Sequence, residues 1–244
     1  MASAFPRSPK LVKGALVEFS ERFLGPIPNI IIFQYNPESL SRTLEVWQPP
    51  EARDSSHSAS LTAQPSDPPE TFNLTLELDA TDALEEPESH PVAVLSGIAD
   101  RIAAMEMLLY PEEGSLLGNL MGSISGSLSG GGVSLSGSAE VQPVPRGTVP
   151  VVLFVWGPGR IVPVRLTSFT VDEQAFSPLL YPIRAKVTMG LKILTPRDFP
   201  CPEKRTAAQE IAIAAFEFTR TQKQVLAAAN LANSVESILG MLPF

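Results

Sequence analysis

The chain of 244 residues has little of what metal sites and most active sites need: one cysteine, Cys201, and two histidines, His57 and His90. A single cysteine excludes an internal disulfide and is typical of proteins of a reducing compartment. Neither histidine has a second histidine or a cysteine at ligand spacing, which excludes a zinc site of the Cys/His type within one chain. We therefore predict no metal and no cofactor.

Charge and long apolar runs are also scarce. Charged residues make up 18% of the chain, and the net charge is −8. Lysine and arginine are scattered, which argues against nucleic acid as a partner, because phosphate contacts need a basic cluster. Since no run of about 18 apolar residues occurs, we expect no membrane insertion. Residues 1–13 lack the apolar core of a secretion signal, so we expect synthesis and folding in the cytoplasm.

Catalytic constellations are equally hard to find. His57 lies in a loop rich in serine, but no strand-to-helix nucleophile elbow accompanies it, and a solvated side chain is the simpler interpretation. The glycine-rich residues 114–138 lack the Gly-Lys-Ser/Thr ending of a phosphate-binding loop. We expect a protein that is not an enzyme.

What the sequence does contain is a set of alternating apolar strands. In residues 183–194 six apolar side chains alternate with charged or small ones, which gives a sheet one apolar and one polar face. Residues 71–79 alternate in the same way. Further strands are predicted over residues 11–20, 29–35, 39–47, 149–156 and 160–171. The last two form a hairpin, and the strand over 149–156, apolar on both faces, should be central in the sheet.

Two helices are predicted beside the strands. The first covers residues 91–110, with Ser89 as its cap and one apolar face. The second begins at a capping box formed by Thr206 and Gln209 and runs to about residue 239. Its apolar stripe includes Ile211, Phe218 and Val225. The sequence leaves open whether this stripe packs on the chain's own sheet or docks on another protein.

Two segments have no regular secondary structure that the sequence pattern clearly predicts. Residues 49–69 form a polar loop rich in proline and serine, and loops of this length are usually functional or mobile. In residues 114–138 glycine recurs every four residues. This stretch is either a flexible insertion or a helix with a glycine stripe, although each interior glycine costs about 1 kcal/mol relative to alanine.

Three stretches of the sequence carry a family resemblance. They are residues 31–42 (IIFQYNPESLSR), residues 150–157 and 163–168 (PVVLFVWG and PVRLTS), and residues 173–178 and 182–191, which begin EQAFSP and PIRAKV. Over these stretches the chain resembles the tube-type proteins of contractile injection systems, and in particular the baseplate tube initiators of phage-tail-like particles. Many members of that family carry a C-terminal LysM-type module, whereas this chain has only a helix there.

The resemblance implies a fold that is mainly β with flanking helices. It implies a phage tail-tube-like antiparallel β-barrel or sandwich over residues 1–200, followed by a helical extension over 203–244. The implied role is structural: a hexameric tube initiator that joins the spike to the inner tube and templates tube assembly. The implied partners are further copies of the chain, the spike protein, inner-tube proteins and baseplate or sheath-adaptor components, in a phage-tail-like particle assembled in the cytoplasm.

Two segments are predicted to form assembly interfaces. The loop over residues 49–69 lies where tube proteins place the extension that meets the adjacent ring. Its candidate interface residues are Glu51, Arg53 and His57. At the other end of the chain, the candidates for docking on the baseplate or sheath are Val225, Leu242 and Phe244.

Two alternative functions remain open on the sequence alone. The chain could be an inner-tube subunit, or another tube-like ring of the same particle. It could also be a soluble β-sandwich binding module, which would share the strands and the lack of catalytic groups. A binding module should be monomeric, whereas a tube initiator should form rings.

Overall fold

The computed structural model describes residues 12–19, 29–47, 64–111 and 148–241, with side chains up to Leu231. The strands in these ranges are β1 (Ala15–Phe19), β2 (Asn29–Ile32), β3 (Leu40–Leu44), β4 (Glu70–Asp79), β5 (Val151–Val155), β6 (Ile161–Phe176) and β7 (Pro182–Ile193). The α-helices are α1 (Thr81–Glu85), α2 (Pro91–Ser96), α3 (Ala99–Glu106) and α4 (Ala207–Met241). Two short 3-10 helices, Pro196–Asp198 and Pro202–Lys204, connect β7 to α4.

All of these strands belong to one antiparallel sheet with the order β2-β1-β5-β6-β7-β4-β3. The predicted mainly β architecture with a C-terminal helix is therefore confirmed. The described strands form an open sheet rather than a closed barrel, because β2 and β3 stand at its two edges.

The apolar alternation predicts the buried face of the sheet correctly. On β7 the fully buried residues are Ala185, Val187, Met189 and Leu191, and their register partners on β4 are Leu78, Leu76, Leu74 and Phe72. Burying one large apolar side chain stabilises the fold by about 1.5–3 kcal/mol, so this pair of strands forms the centre of the core. β5 is buried on both faces, at Val152, Leu153 and Phe154, as predicted.

The sheet curls around this core. The ring of Phe154 on β5 lies 5.5 Å from that of Phe72 on β4 and 6.4 Å from that of Phe33, which follows β2. The Gln34 side-chain amide, which follows β2, bridges to the end of β4, because it donates to the Asp79 carbonyl at 2.6 Å and accepts from the Asp79 amide at 3.0 Å. Arg101 on α3 donates to the same Gln34 oxygen at 2.6 Å.

The predicted continuous helix over residues 91–110 is wrong. It is divided into α2 and α3 at Gly97, whose φ is +59°. A Cβ atom on Gly97 would lie 2.1 Å from the carbonyl oxygen of Pro182, and that oxygen accepts a hydrogen bond from Ile98 at 2.9 Å. A contact with the start of β7 therefore breaks the helix. Ser89 does not cap α2, and Leu95, expected on the apolar face, is exposed.

The bounds of several strands also differ from the prediction. β3 is shorter than the strand predicted over residues 39–47, and Leu44 and Val46 are exposed. β6 is longer than expected, since it continues to Phe176 rather than ending at residue 171. These differences matter for function because they leave β6 extending beyond the packed core.

Candidate assembly surfaces

Most of the predicted interface residues lie outside the described ranges. Glu51, Arg53 and His57 belong to the loop over residues 49–69, of which only residues 64–69 are described. Leu242 and Phe244 follow the last described residue. Val225 is described, lies on α4 and is exposed. The structure therefore brings no pair of the predicted interface residues together within its described part.

A surface that the sequence did not predict lies on the distal part of β6, residues 165–176. β5 pairs with β6 only from Ile161 to Val164, whereas β7 pairs with it as far as Phe176. Beyond Val164, no described strand lies on the side of β6 that faces away from β7. Backbone N–H and C=O groups on such a side can pair with another strand, which makes this edge a template for association. We call residues 165–176 the β6 edge.

A bulge at the start of the β6 edge sets which side chains face the core. Leu166 pairs with Leu191 and Ser168 with Gly190, so Thr167 is an extra residue. Glycine at position 190 makes room for this bulge, because a Cβ atom on Gly190 would lie 2.5 Å from the Ser168 hydroxyl oxygen. An extra residue shifts the alternation by one. After the bulge, Phe169 and Val171 are the residues that pack against the core.

The turn between β6 and β7 presents large apolar side chains to solvent. The exposed residues are Phe176, Leu179, Leu180 and Tyr181, with Leu179 at 71% and Leu180 at 79%. Hydrogen bonds within the turn fix its shape, from the Ser177 amide to the Tyr181 carbonyl at 2.8 Å and from the Leu180 amide to the Ser177 carbonyl at 2.9 Å. Leu180 has a φ of +64°, which is uncommon for a leucine. Contiguous exposed apolar groups of this kind mark interaction sites.

The solvent-facing side of β4 and β7 is a ladder of polar pairs with balanced charge. Arg184 lies 2.8 Å from Asp79, and Lys186 lies 3.1 Å from Glu77. Burial alone would raise the pKa of the Asp79 carboxyl, but hydrogen bonds from Thr81 and from Arg184, together with the charge of Arg184, hold it below the ordinary value of 3.8. The ladder presents a hydrated surface rather than a binding pocket.

One face of α4 attaches the helix to the sheet. Ala212 and Thr219 are buried. The Thr219 hydroxyl donates to the carbonyl of Ile161 at 2.6 Å and accepts from its amide at 3.0 Å, where β6 begins. Lys223 donates to the buried carboxylate of Glu70 on β4 at 2.8 Å, and Arg42 on β3 binds the same carboxylate.

The predicted apolar stripe of α4 does not form this attachment. Ile211, Phe218 and Val225 are 45%, 43% and 56% exposed. The interpretation in which the stripe packs on the chain's own sheet is therefore wrong, because the helix turns a different face, containing Ala212 and Thr219, toward the sheet. The stripe remains available to another protein.

Other features of the described residues offer no reactive site. Within them, no three His, Cys, Asp or Glu side chains lie together as a metal ion would require. None of the described helices is long and apolar enough to cross a membrane. Glu18 on β1 is buried, with one carboxylate oxygen bound to the Asn29 amide at 2.9 Å and the other without a hydrogen-bond partner.

The sequence contains one indication of the β6 edge, although we did not predict that surface. After Val171 the residues of β6 read Asp-Glu-Gln-Ala-Phe, so the apolar alternation stops while the strand continues. A strand that loses its buried face while keeping its partner β7 must extend beyond the core. Comparison with protein-family models and with curated protein sequences finds no match for this chain.

Proposed function

We propose that this chain is a structural ring subunit of a contractile injection system, the hexameric baseplate tube initiator that joins the spike to the inner tube. The resemblance over residues 31–42, 150–157, 163–168, 173–178 and 182–191 supplies the role. The observation that carries the proposal is the β6 edge, a strand edge with no described neighbour beyond Val164. In this role the protein acts mechanically and catalyses no reaction.

Ring formation follows from two kinds of strand edge that no described strand covers. The β6 edge of one copy pairs with an outer strand, β2 or β3, of the next copy. Because the two edges differ, the contact is head-to-tail, and such contacts close into a ring when the rotation per subunit allows it. Main-chain hydrogen bonds then satisfy the edges that would otherwise promote disordered aggregation.

The remaining surfaces are assigned to axial contacts. The turn with Leu179 and Leu180 projects beyond the packed core and meets an adjacent ring or the spike. The loop over residues 49–69, with Glu51, Arg53 and His57, stacks on the neighbouring tube ring. The end of the chain, with Leu242 and Phe244, contacts baseplate or sheath-adaptor components. The particle assembles in the cytoplasm, and the fold of each subunit belongs to the tail-tube class.

Labelling of native particles tests this function. A lysate of the native host carrying the tagged chain is sedimented, and the pellet is examined by negative-stain microscopy with immunogold. Gold at one end of sheathed rods supports a baseplate ring. Gold along the whole rod would instead identify an inner-tube subunit. A monomer that stays in the supernatant would contradict the proposal and favour a soluble binding module.

A variant tests the role of the β6–β7 turn in the same particles. Leu179→Lys changes a side chain that is 71% exposed, so the fold should tolerate it, while an apolar contact with an adjacent ring would be lost. Val92→Lys on α2 is the matched control, since Val92 is 57% exposed and lies on another element. We expect rods to be lost or shortened with the first variant and normal with the second.

A further inference from the structure

The distal part of α4 presents large apolar side chains in three directions although it is exposed. All residues from 223 to 231 are exposed, and the large apolar ones are Val225, Leu226 and Leu231, at 56%, 69% and 68%. With 3.6 residues per turn, Leu226 and Leu231 point about 100° and about 120° away from Val225 in opposite directions. Large apolar side chains on several sides of one helix are normally buried. A flat partner would cover only one of these three directions.

The exposed stripe along the first part of α4 has the spacing of a coiled-coil seam. Ile211, Phe218 and Val225 are separated by seven residues each. A seven-residue apolar repeat keeps one line of side chains facing a partner helix. We call these three residues the α4 seam. It begins where α4 packs on the sheet and continues into the fully exposed part, so a partner helix can follow it over its whole length.

Charges beside the α4 seam permit a second copy of this chain as the partner and favour a parallel direction. In a parallel pair of identical helices, Glu217 of one copy faces Gln222 of the other, and no like charges meet. In an antiparallel pair centred on Phe218, Glu217 would face Glu217 of the other copy. Residues 224–231 carry no charge, so copies of this chain can approach there despite the net charge of −8.

We propose that α4 pairs in parallel with α4 of other copies of this chain along the α4 seam. The distal parts form a bundle of at least three helices, because a single neighbour leaves either Leu226 or Leu231 uncovered. This contact between copies goes beyond the strand-edge ring and does not depend on the baseplate role. Two of the three distal alanines, Ala228 and Ala229, lie beside the seam and let the helices approach closely.

Disulfide trapping in the full chain tests the contact. Cys201 is free and exposed, so Cys201→Ser gives a background without cysteine. On that background, Val225→Cys should form an interchain disulfide under mild oxidation, because equivalent seam positions face each other in a parallel pair. Val92→Cys is the control, with equal exposure on α2. Equal linkage of the two variants would overturn the proposal.

The direction of the helices is tested by mixing. Chains with Ile211→Cys are combined with chains with Val225→Cys, both on the Cys201→Ser background. In a parallel bundle each variant links mainly to itself. If the mixed pair links more readily than either variant alone, the helices are antiparallel and the proposal is overturned.

Mass measurement separates this contact from the strand-edge ring. Phe218→Glu with Val225→Glu should lower the mass found by light scattering and keep a cooperative unfolding transition, while Val92→Glu should leave the mass unchanged. Leu179→Lys, which changes the proposed axial contact, should leave the Val225→Cys linkage intact, because the α4 seam does not involve the β6–β7 turn.

Discussion

Lys223 on α4 and Glu70 on β4 form an ion pair of 2.8 Å, which is the last ion pair along α4 in the part of the helix whose side chains are described. Glu70 is buried, and Arg42 binds its second oxygen, so one carboxylate joins β3, β4 and α4. From Gln224 to Leu231 the side chains of α4 are exposed. The pair therefore divides the helix into an attached half and a projecting half.

Removing the charge of Glu70 should weaken this junction measurably. Glu70→Gln leaves Arg42 and Lys223 without their shared anion, and we expect a loss of about 1–3 kcal/mol in the free energy of unfolding. Lys223→Met should cost less, about 1 kcal/mol or below, because Lys223 is partly exposed and Arg42 still neutralises the carboxylate. Urea denaturation measures both.

A matched control for the junction is the neighbouring exposed pair of Arg220 and Asp67, at 3.4 Å. Arg220→Met should change the free energy of unfolding by less than about 0.5 kcal/mol. If Glu70→Gln proved no more destabilising than Arg220→Met, the junction would not hold α4 to the sheet.

Adding a side chain at either of two glycines should lower the free energy of unfolding. Gly97→Ala would bring a Cβ to within 2.1 Å of the Pro182 carbonyl oxygen at a positive φ, and Gly190→Ala would crowd the Ser168 hydroxyl at 2.5 Å. We expect losses of about 2 kcal/mol or more for Gly97→Ala and about 1 kcal/mol for Gly190→Ala, where a serine can rotate away.

Gly159→Ala is the control for both glycine variants. It lies in the turn between β5 and β6, and a Cβ there would meet no atom within 4 Å. Its thermal midpoint should stay within a few degrees of the parent's. A Gly97→Ala chain that melted at the same temperature as the Gly159→Ala chain would show that the close approach to Pro182 is relieved elsewhere.

These glycines also show what the sequence could and could not predict. Local patterns are enough to predict the buried face of β7 and the start of α4. At that start, the predicted capping box forms: the Thr206 amide donates to the Gln209 side-chain oxygen at 3.1 Å, and the Gln209 amide donates to the Thr206 hydroxyl oxygen at 3.3 Å. The break at Gly97 depends on Pro182, which is distant in the sequence. No pattern within residues 91–110 reveals that contact.

The same limit explains the face of α4. Periodicity correctly finds the apolar stripe with Phe218 but cannot say what covers it. The face that packs on the sheet is instead selected by particular partners: Thr219 fits the start of β6, and Lys223 reaches Glu70. The β6 edge was missed for a related reason, since strand ends are defined by neighbours rather than by side-chain type.

Charges placed in the centre of the core should prevent folding. Met189→Asp with Leu191→Asp puts two carboxylates at fully buried positions with no cation to pair with them, which costs several kcal/mol each. We expect insoluble protein or the loss of cooperative unfolding. Thr188→Asp with Lys192→Asp is the control on the exposed face of the same strand. A soluble, cooperatively melting core variant would show that the inward face of β7 is misassigned.

The stability of the ladder on β4 and β7 should depend on pH through Asp79. The folded state lowers the pKa of Asp79 below 3.8, so the ionised form is the one that folding favours. Its contribution is therefore present above the ordinary pKa and is lost as the pH falls through the folded value. Asp79→Asn should reduce the free energy of unfolding at neutral pH by about 0.5 kcal/mol, since Arg184 is half-exposed.

In strong acid the free energy of unfolding of Asp79→Asn should match that of the parent, because the parent's carboxyl is then protonated and neutral, like the asparagine side chain. Urea denaturation at about pH 7 and about pH 2 measures the difference at both ends. Arg184→Met removes one of the groups that lower the pKa, so it should shrink the same pH-dependent difference while leaving the Thr81 hydrogen bonds in place. A difference between Asp79→Asn and the parent that persists undiminished in acid would mean that Asp79 stabilises the ladder by its shape rather than by its charge.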